Sequence, residues 1–413
     1  MSCIDELISK LCSNGVEYKR LGDVGEFIRG NGLQKSDLTE SGVGAIHYGQ
    51  IHTIYGVWTD ATKSFVNEEF ASRLRKARPG DLVIATTSED DGAVSKAVAW
   101  IGKEDIAVSG DAYIFRHSLE PKYVAYFFKT ENFQMQKRPH ITGTKVRRIS
   151  GENLAKIRIP VPPLEVQREI VKILDNFTQL EAELEAELEA RRRQYKYYRD
   201  ALLTFGEPEA SKQASVRWMT LGEVGRLVRG NGMPKSDFSE SGVGCIHYGQ
   251  IYTFFGTWTD RVISSVPAEK AERLTKVDPG DLVITNTSEN VLDVCKAVAW
   301  MGDNQIVTGG HASVLKHQQN PKYLSYYMQT KAFEREKRKF AAGTKVIDVS
   351  ASNLAKIRIP VPPLEEQERI VAILDKFDAL VNDISTGLPA EIKARRQQYE
   401  YYRDRLLTFK EAA

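Results

Sequence analysis

Residues 153–165 read Asn-Leu-Ala-Lys-Ile-Arg-Ile-Pro-Val-Pro-Pro-Leu-Glu, and the same run returns unaltered at 353–365. The repeat extends outward from this run: residues 21–180 align without gaps onto 221–380 at a constant offset of 200, and about 88 of the 160 positions are identical. A period of 200 residues is far too long for a solenoid, whose repeats are ~20–50 residues long. The chain of 413 residues therefore consists of two copies of one unit.

The first part of each unit, about residues 17–160, has the pattern of a mixed domain. Short β-branched and aromatic runs, such as 81–86 and 96–100, lie between clusters of Gly, Pro, Asn and Asp, which is typical of strands and turns. Helical periodicity interrupts them at 121–138, where aromatic residues share a face. We therefore predict an α+β domain of ordinary size in each copy.

The character of the sequence changes after Pro162-Pro163. Residues 164–205 contain no Pro or Gly, are rich in good helix formers, and place apolar residues at steps of three or four along one stripe. A helix of this length would extend about 63 Å, and its single apolar stripe needs a partner. The second copy supplies a matching stripe, although Gly387-Leu388-Pro389 predicts a kink or interruption in that helix. The second stripe consists of Ile370, Leu374, Phe377, Leu380, Ile384, Ile392, Tyr399, Tyr402 and Leu406.

The simplest architecture joins the two mixed domains by the two long helices. We expect these helices to pack as an antiparallel coiled coil, which would relate the copies by a pseudo-twofold axis. The alternative is that each helix folds back on its own domain. Pairing is favoured, because a domain of some 150 residues cannot cover so long a helix. The predicted segments are a first domain at 1–162, a central spacer helix at 163–206, a second domain at 207–362 and a C-terminal spacer helix at 363–413.

Motifs for catalysis are missing from the sequence. The Gly-rich run at 41–44 lacks the lysine of a phosphate-binding loop, and neither copy has the Asn/Asp-Pro-Pro-Tyr signature of an amino-methyltransferase. Asp81 followed by Lys96 resembles part of a metal-dependent nuclease motif, but the residue two before the lysine is Val94. The acidic run 89–91 is not repeated in the second copy, which favours a turn. We therefore expect a protein that is not an enzyme.

Metal-binding and membrane-spanning patterns are also missing. His47 and His52 could pair as ligands, but the second copy has Tyr252, so a polar surface or base-contacting role is more credible. No apolar stretch approaches the ~20 residues of a membrane span, and the first residues lack the order of a signal peptide. The cysteines show no CxxC spacing, and the simplest interpretation is reduced thiols in a cytoplasmic protein. They are Cys3, Cys12, Cys245 and Cys295.

The charge is nearly balanced overall, at 57 basic against 55 acidic residues, but it is unevenly distributed. The stretch 137–158 has seven Lys or Arg residues and one acid, and the stretch 335–358 has seven against two, whereas acidic residues cluster at 181–189. Each basic stretch contains Gly-Thr-Lys, at 143–145 and 343–345. Such a stretch could lie on a phosphate backbone. Considered alone, a charge run of this size favours a solvated loop.

A second polar cluster combines donors and acceptors that suit base edges and phosphates. Some members must be structural, because Gly30 and Gly32 indicate a positive-φ turn and Tyr48 is also a candidate for packing. Gln50 and Arg29 are the strongest candidates. The cluster and its repeat comprise Arg29, Asn31, Lys35, His47, Tyr48, Gln50, Arg229, Asn231, Lys235, His247, Tyr248 and Gln250. The candidates from the basic stretches are Lys137, Arg138, Thr144, Lys145, Lys337, Arg338, Thr344 and Lys345.

Duplicated mixed domains, each followed by Ile-Pro-Val-Pro-Pro-Leu-Glu-x-Gln-x-x-Ile-Val and a long helix, resemble the specificity subunit of type I restriction–modification systems. The Leu-Glu-Ala-Glu repeats at 180–190 resemble the subgroup whose central helix carries such tetrapeptides. The resemblance implies two target-recognition domains that each recognise one half of an interrupted double-stranded DNA site. It implies helices that set the spacing and dock two methyltransferase subunits, with restriction subunits joining for cleavage. It implies no chemistry and no cofactor here, since S-adenosylmethionine and ATP belong to the partner subunits.

Two expectations follow from the residues themselves. Because the two domains are so alike, we expect half-sites that are the same or closely related, and any difference in recognition is expected at 90–95 against 290–295. Because the tetrapeptides lengthen the helix, their number should set the spacing of the half-sites. A stand-alone nucleic-acid enzyme and a purely structural coiled-coil scaffold are the alternative classes. The resemblance also implies a prokaryotic cytoplasmic protein associated with the nucleoid.

Overall fold

A computed structural model of the chain describes residues 2–206, 216–383 and 385–412, with side chains from Ile4 onward. Ile384 of the second apolar stripe, the side chain of Cys3 and the first residues of the segment 207–362 lie outside this description. The chain divides into two compact units. The first unit comprises Met1–Glu183 and Ile392–Ala413, and the second comprises Leu184–Glu391. Each unit therefore combines one mixed domain with parts of both helical regions.

The mixed domain of the first unit is built on two sheets. Its five-stranded sheet has the spatial order Gly25–Arg29, Ala112–His117, Leu82–Ala85, Ala97–Trp100, Trp58–Thr59, in which only the last pair is parallel. Its four-stranded sheet has the order Ser64–Val66, Val43–Ile46, Ile106–Val108, Lys76–Ala77, with the central pair parallel. Two small antiparallel pairs complete the sheets: Tyr18–Arg20 with Arg158–Pro160, and Thr87–Ser88 with Arg147–Arg148.

Seven short helices accompany these strands. The longer ones begin at good caps; for example, the Thr130 hydroxyl accepts a hydrogen bond from the Phe133 N–H, and Pro121 occupies a first-turn position that needs no N–H donor. Two 3₁₀ turns lie at Lys35–Asp37 and Arg138–His140. The α-helices are Ser2–Leu11, Leu21–Val24, Tyr48–Thr53, Glu68–Ala71, Pro121–Phe127, Glu131–Lys137 and Gly151–Leu154.

The strand Leu82–Ala85 is buried on both faces and separates two hydrophobic cores. Leu82 and Ile84 belong to the core that the helices cover, whereas Val83 and Ala85 belong to the core between the two sheets. This division follows from the two-residue period of a strand, in which successive side chains point to opposite faces. A continuous apolar run, rather than an alternating one, is therefore what this strand requires.

The second unit repeats this architecture strand for strand. Its five-stranded sheet has the order Gly225–Arg229, Ala312–His317, Leu282–Thr285, Ala297–Trp300, Trp258–Thr259. Its four-stranded sheet has the order Ser264–Val266, Val243–Ile246, Ile306–Thr308, Thr275–Val277, and the small pairs are Arg217–Thr220 with Arg358–Val361 and Thr287–Ser288 with Ile347–Asp348. The helices are Leu221–Val224, Tyr248–Thr253, Ala268–Ala271, Pro321–Tyr327, Lys331–Arg338 and Ala351–Leu354, with a 3₁₀ turn at Lys235–Asp237. The α+β class and the tandem repeat are thus confirmed.

The central helix is Leu164–Leu202, and it continues across the boundary between the units. Within the first unit, Ile170 and Leu174 are fully buried in the core of the mixed domain. Further along, Phe177 stacks on Tyr402 with ring centroids 5.6 Å apart, and Glu181 forms an ion pair with Arg396. Because the partner's number falls as the helix advances, the two segments are antiparallel.

The second unit contains the equivalent helix pair. Tyr198 stacks on Phe377 with centroids 5.4 Å apart, and the Tyr195 hydroxyl donates a hydrogen bond of 3.2 Å to the Asp378 carboxylate. Leu374 is fully buried in this unit's core, as Leu174 is in the first. Each long helix therefore both packs on its own domain and pairs with another helix. The first turns of each helix pack on their own domain, and a segment of the other helical region packs beside them.

The C-terminal helical region is interrupted, as its sequence predicts, but the break starts earlier than Gly387. The helices are Leu364–Asn382 and Leu388–Leu406. Asp383 leaves the helical conformation, and its carboxylate accepts hydrogen bonds from Ser385 and Thr386, which lower its pKa well below the ordinary value. Pro389 lies in the first turn of the following helix, where its missing N–H costs nothing. Gly387 is required because an added Cβ would lie 2.4 Å from the Ala379 carbonyl oxygen.

The first and last described segments of the chain meet in the first unit. The Val16 N–H donates to the Lys410 carbonyl at 2.9 Å, and the Ala412 N–H donates to the Val16 carbonyl at 3.0 Å. Gly15 lies beside them with φ +93°, and a Cβ there would come within 2.8 Å of the Ala412 nitrogen. The C-terminal segment is thereby attached to the N-terminal one by a short parallel bridge.

Truncating the buried leucine of each helix should destabilise the unit that contains it. We expect Leu174→Ala or Leu374→Ala to lower the free energy of unfolding by about 2–5 kcal/mol, because each change leaves a cavity in a closed core. Urea denaturation followed by circular dichroism measures this. Leu164→Ala and Leu364→Ala are the matched controls, since both leucines are about half exposed, and should cost less than about 1 kcal/mol. Equal effects of core and control changes would show that the helices are not anchored in this way.

Candidate nucleic-acid interface

The short helix Tyr48–Thr53 positions the central part of the polar cluster. His47 caps it: its Nδ1 accepts a hydrogen bond from the Gly49 N–H at 3.2 Å, and its own N–H donates to the Gln50 Oε1 at 2.9 Å. The Gln50 Nε2 donates to the Ser64 hydroxyl at 2.7 Å. Both ends of the Gln50 amide are thus used within the fold. Gln50, one of the two strongest sequence candidates, is therefore a residue that holds the site together.

The second unit builds the same cap with nearly the same distances. His247 Nδ1 accepts from the Gly249 N–H at 3.1 Å, and the His247 N–H donates to the Gln250 Oε1 at 2.9 Å. The Gln250 Nε2 donates to Ser264 at 2.7 Å. This agreement shows that the cap is a property of the repeated sequence.

A shallow cavity of about 490 Å³ brings together four of the six residues of the first unit's polar cluster: Arg29, Lys35, His47 and Tyr48. Asn31 is not among them, because its amide donates to the Arg73 carbonyl at 3.0 Å and accepts from the Arg75 N–H at 2.6 Å. Gln50 also lies outside the lining. The lining residues are Arg29, Gly30, Gly32, Leu33, Gln34, Lys35, His47, Tyr48, Ser109, Gly110 and Asp111.

The cavity presents cations and a neutral imidazole. Arg29 is 62% exposed; its Nε donates to the Gly110 carbonyl at 3.0 Å, and its guanidinium lies 3.9 Å from the Asp111 carboxylate. Burial lowers the pKa of His47, and nearby Lys35 lowers it further against the opposing effect of Asp111. Because Nδ1 accepts a hydrogen bond, the proton of the neutral ring is assigned to Nε2, which leaves a donor. These groups match phosphate oxygens and the acceptor edges of bases.

The equivalent residues of the second unit have the same arrangement with one change of charge. Arg229 and Lys235 are exposed, and the Asn231 amide donates to the Arg273 carbonyl at 2.7 Å. The Tyr248 ring lies against His247, with centroids 4.5 Å apart, and against His311 at 5.0 Å. Burial lowers the pKa of His247, and Lys235 and His311 lower it further.

A hairpin presents the Gly-Thr-Lys run of each basic stretch. Thr142 and Arg148 exchange two backbone hydrogen bonds of 2.9 and 2.8 Å, and Thr144 and Lys145 are exposed at the tip. Gly143 has φ +91°, and a Cβ there would meet the Val146 carbonyl oxygen at 2.1 Å, so the turn requires glycine.

The second hairpin is closed in the same way. Ala342 and Asp348 exchange backbone hydrogen bonds of 3.0 and 2.8 Å, and Gly343 has φ +107°. Thr344 and Lys345 are exposed at its tip. Each basic stretch therefore forms an exposed hairpin closed by backbone hydrogen bonds, and it is not an irregular solvated loop.

Two lysines of the basic stretches do not reach the surface, which corrects the expectation that they contact a ligand. Lys137 is 1% exposed, and its ammonium donates to the carbonyls of Gly92 and Val94 at 2.9 and 2.6 Å. Lys337 is equally placed, on Leu292 and Val294. Burial lowers the pKa of both, that of Lys137 to about 8.

The sequence did contain a signal for this burial. Lys137 lies four residues after Phe133, a fully buried residue of the same helix, so the two share a face. Arg138 and Arg338, one residue further on, are exposed but paired with Glu131 at 3.5 Å and Glu334 at 2.5 Å. The buried ammonium secures the turn that contains the acidic run 89–91, which is a turn as predicted.

Position 52 has a structural role rather than a metal-binding one. His52 Nε2 lies 3.0 Å from the Thr87 carbonyl, and the Tyr252 hydroxyl donates to the Thr287 carbonyl at 2.8 Å, so the two residues make the same connection. Among the residues that the structure describes, no group of three His, Cys, Asp or Glu side chains could hold a metal ion. Within the same residues, no helix is long and apolar enough to cross a membrane.

The residues that the sequence analysis missed are Asp111 and His311. They occupy equivalent positions in the turn that follows Ile106–Val108 and Ile306–Thr308. The signal was a difference between the copies, Ser-Gly-Asp at 109–111 against Gly-Gly-His at 309–311, within an otherwise similar frame. Only the structure shows that this turn borders the polar cluster.

The fold and the duplicated cluster define a protein with two similar ligand-binding domains on a helical frame. The chain matches the family model of the type I restriction modification DNA specificity domain twice, at residues 13–190 and 216–394. These ranges cover most of the chain, and the protein belongs to this family. The predicted family is thereby confirmed, and its members are the non-catalytic DNA-recognition components of type I systems.

Two relatives and two solved structures agree with this assignment. The chain is 36% identical to the EcoR124I/EcoR124II specificity subunit of Escherichia coli over 303 residues, 70% of either protein. It is 32% identical to a type I restriction enzyme specificity subunit of Haemophilus influenzae over 306 residues, 71% of this chain and 74% of that protein. A structure from a study of complex assembly in a type I system has a TM-score of 0.64 at 21% identity, covering 95% of this chain and 97% of that one. The S subunit of M. genitalium has a TM-score of 0.50 at 13% identity, covering 95% and 96%.

Substituting the buried and exposed lysines should separate stability from ligand binding. We expect Lys137→Ala to lower the free energy of unfolding by about 2–4 kcal/mol, because two buried carbonyls lose a charged donor. Lys145→Ala should change stability by less than about 0.5 kcal/mol. Lys145→Ala should instead weaken DNA binding and reduce its dependence on salt, because one phosphate contact is lost. Urea denaturation measures the stability of both variants, and DNA affinity over a range of salt concentrations measures their binding. Weakened DNA binding by Lys137→Ala at unchanged stability would contradict the structural role of this lysine.

Proposed function

We propose that each unit recognises one half of an interrupted site on double-stranded DNA, as part of a type I restriction–modification complex. The observation that carries the proposal is the duplication of one interface: the same capped helix, exposed arginine and lysine, and Gly-Thr-Lys hairpin occur in both units. A purely structural scaffold would not require these polar groups twice. The protein itself supplies recognition and no chemistry.

The chemistry of the exposed side chains suggests which of them contact the DNA phosphates and which contact the bases. Lys35 and the hairpin lysine Lys145 are exposed point charges that suit phosphates, whose neutralisation makes binding salt-dependent. Arg29 and the Nε2 of His47 border a cavity and present directed donors, which suit the acceptor atoms of base edges. The second unit offers the same set at Arg229, Lys235, His247 and Lys345.

We assign the partners and the segments as follows. Two methyltransferase subunits dock on the helices, restriction subunits join them, and S-adenosylmethionine and ATP are bound by those partners. Tyr197 and Tyr401, at equivalent positions of the two helices, are 70% and 60% exposed, which supports docking there, because exposed aromatic residues are enriched at protein interfaces. The segments are recognition domains at 1–162 and 207–362 and spacer helices at 163–206 and 363–413. The helix starts at Leu164 and Leu364 support two of these boundaries.

Long-read detection of methylated adenines tests the proposal directly. In a host that expresses the full operon, we expect one interrupted motif whose halves, each written on its own strand, are the same or closely related. The related halves follow from the near identity of the two interfaces. Expression of this chain without the methyltransferase subunits is the control and should give no methylation. Two unrelated half-sites, or methylation by this chain alone, would contradict the proposal.

Changing the number of tetrapeptides should change the spacing of the half-sites. Deleting Leu184–Glu187 shortens the helix by about 6 Å and nearly preserves its face, which corresponds to at most two base pairs at ~3.4 Å each. We therefore expect the same half-sites with a shorter spacer in the methylation motif. Inserting one further Leu-Glu-Ala-Glu after Glu187 is the reciprocal variant and should lengthen it. An unchanged spacer in both variants would refute the spacing role.

A further inference from the structure

The two interfaces differ in chemistry at one turn. Seven lining residues of the first unit's cavity have identical counterparts 200 residues later: Arg29, Gly30, Gly32, Lys35, His47, Tyr48 and Gly110. Four lining positions differ. Leu33 and Met233 are both buried, and the pairs Gln34 and Pro234, and Ser109 and Gly309, are all uncharged. The change that alters charge is Asp111 against His311.

In the first unit, this turn restrains the arginine. The Asp111 carboxylate is about half exposed, lies 3.9 Å from the Arg29 guanidinium and borders the cavity. The Asp111 carbonyl is fixed by hydrogen bonds of 3.0 and 2.9 Å from the N–H and hydroxyl of Thr86. The backbone of Asp111 is therefore fixed, and its carboxylate lies at the edge of the cavity, where it partly neutralises the arginine beside it.

In the second unit, the same position holds an imidazole in a different backbone conformation. His311 has φ +67°, a region that costs a side-chain-bearing residue about 1–3 kcal/mol unless its surroundings fix it. They do so here: its Nδ1 lies 3.0 Å from the Thr287 hydroxyl, its carbonyl accepts from the Asn286 N–H at 2.8 Å, and its ring lies against Tyr248. Among the described residues, Arg229 forms no ion pair, so its guanidinium is not restrained as that of Arg29 is.

The turn also connects the two parts of the interface in the second unit. Thr287, which contacts His311, belongs to the strand Thr287–Ser288, and this strand pairs with the base of the hairpin at Ile347–Asp348. A ligand group that meets the His311 ring therefore lies between the polar cluster and the hairpin. The side chain at position 311 is therefore placed to influence which ligand groups bind at both the polar cluster and the hairpin.

We propose that residues 111 and 311 determine base specificity and make the two half-sites differ at one equivalent position. This inference rests on the proposed function. An ionised carboxylate only accepts hydrogen bonds, so the first unit selects a base with a major-groove amino group, cytosine or adenine. The second unit lacks the carboxylate and leaves Arg229 available for the O6 and N7 of guanine, so it selects guanine. Elsewhere the half-sites remain alike.

Exchanging the two residues tests this. Asp111→His and His311→Asp are each expressed with the methyltransferase subunits, and the methylation motif is determined by long-read sequencing. We expect Asp111→His to change or relax one position of one half-site, towards guanine, and His311→Asp to act on the equivalent position of the other, away from guanine. Discrimination between bases at that position should change about tenfold or more. Asp105→His is the matched control and should leave the motif unchanged, because this exposed aspartate directly precedes the strand Ile106–Val108, at the end away from the turn.

Variants that fail to methylate DNA are tested by measuring how tightly the assembled complex binds DNA. Affinities are measured for duplexes with each of the four bases at each half-site position, and Asp111→Asn and His311→Gln serve as conservative replacements if a swap impairs folding. A change confined to one position supports the proposal. An unchanged motif, or an affinity loss that is equal for all four bases, overturns it, because a merely structural turn would act uniformly. A wild-type complex that produces no interrupted motif would instead overturn the proposed function.

Discussion

Burial of one apolar stripe along the central helix is the constraint on which the rest of the structure depends. In the first unit, Leu174 of the stripe packs in the core of the mixed domain and Phe177 stacks on Tyr402 of the C-terminal helical region. In the second unit, Tyr195 is buried in the core and Tyr198 stacks on Phe377. Neither partner alone would cover so long a helix. Each recognition domain is therefore attached rigidly to the element that is proposed to set the spacing.

The sequence was sufficient for the architecture and insufficient for the details of the site. The repeat, the mixed domain, the long helix and its antiparallel partner all follow from patterns that extend over many residues. The roles of single polar side chains do not, because a hydrogen-bonding group serves a cap as readily as a ligand. Gln50 bonds the His47 N–H and the Ser64 hydroxyl, Asn31 bonds two backbone groups, and Lys137 is buried on two carbonyls. Only the buried lysine had a periodicity signal that could have corrected the prediction.

Comparing equivalent positions of the two copies distinguishes differences that concern packing from those that concern recognition. Asp91 pairs with Arg147 at 2.8 Å, and the equivalent positions hold Val291 and the buried Ile347, so an ion pair has been replaced by an apolar pair. Both partners changed together, and the hairpin is preserved. Part of the divergent stretch at 90–95 thus differs for reasons of packing. The change from Asp111 to His311 leaves the neighbouring arginine unchanged, since Arg29 and Arg229 are the same residue. The residue that bonds the carbonyl of this position changes with it, from Thr86 to Asn286.

The way the chain enters and leaves each mixed domain has an evolutionary consequence. Tyr18 pairs with Pro160 and Arg20 with Arg158 in one antiparallel ladder, and Arg217–Thr220 pairs with Arg358–Val361 in the same way. About 140 residues therefore begin and end at adjacent points, so one such domain could be exchanged for another by recombination within the flanking repeats without altering the helices. With this arrangement, a change of the recognised DNA sequence requires only the exchange of one whole mixed domain. The identical run at 153–165 and 353–365 provides a site for such recombination.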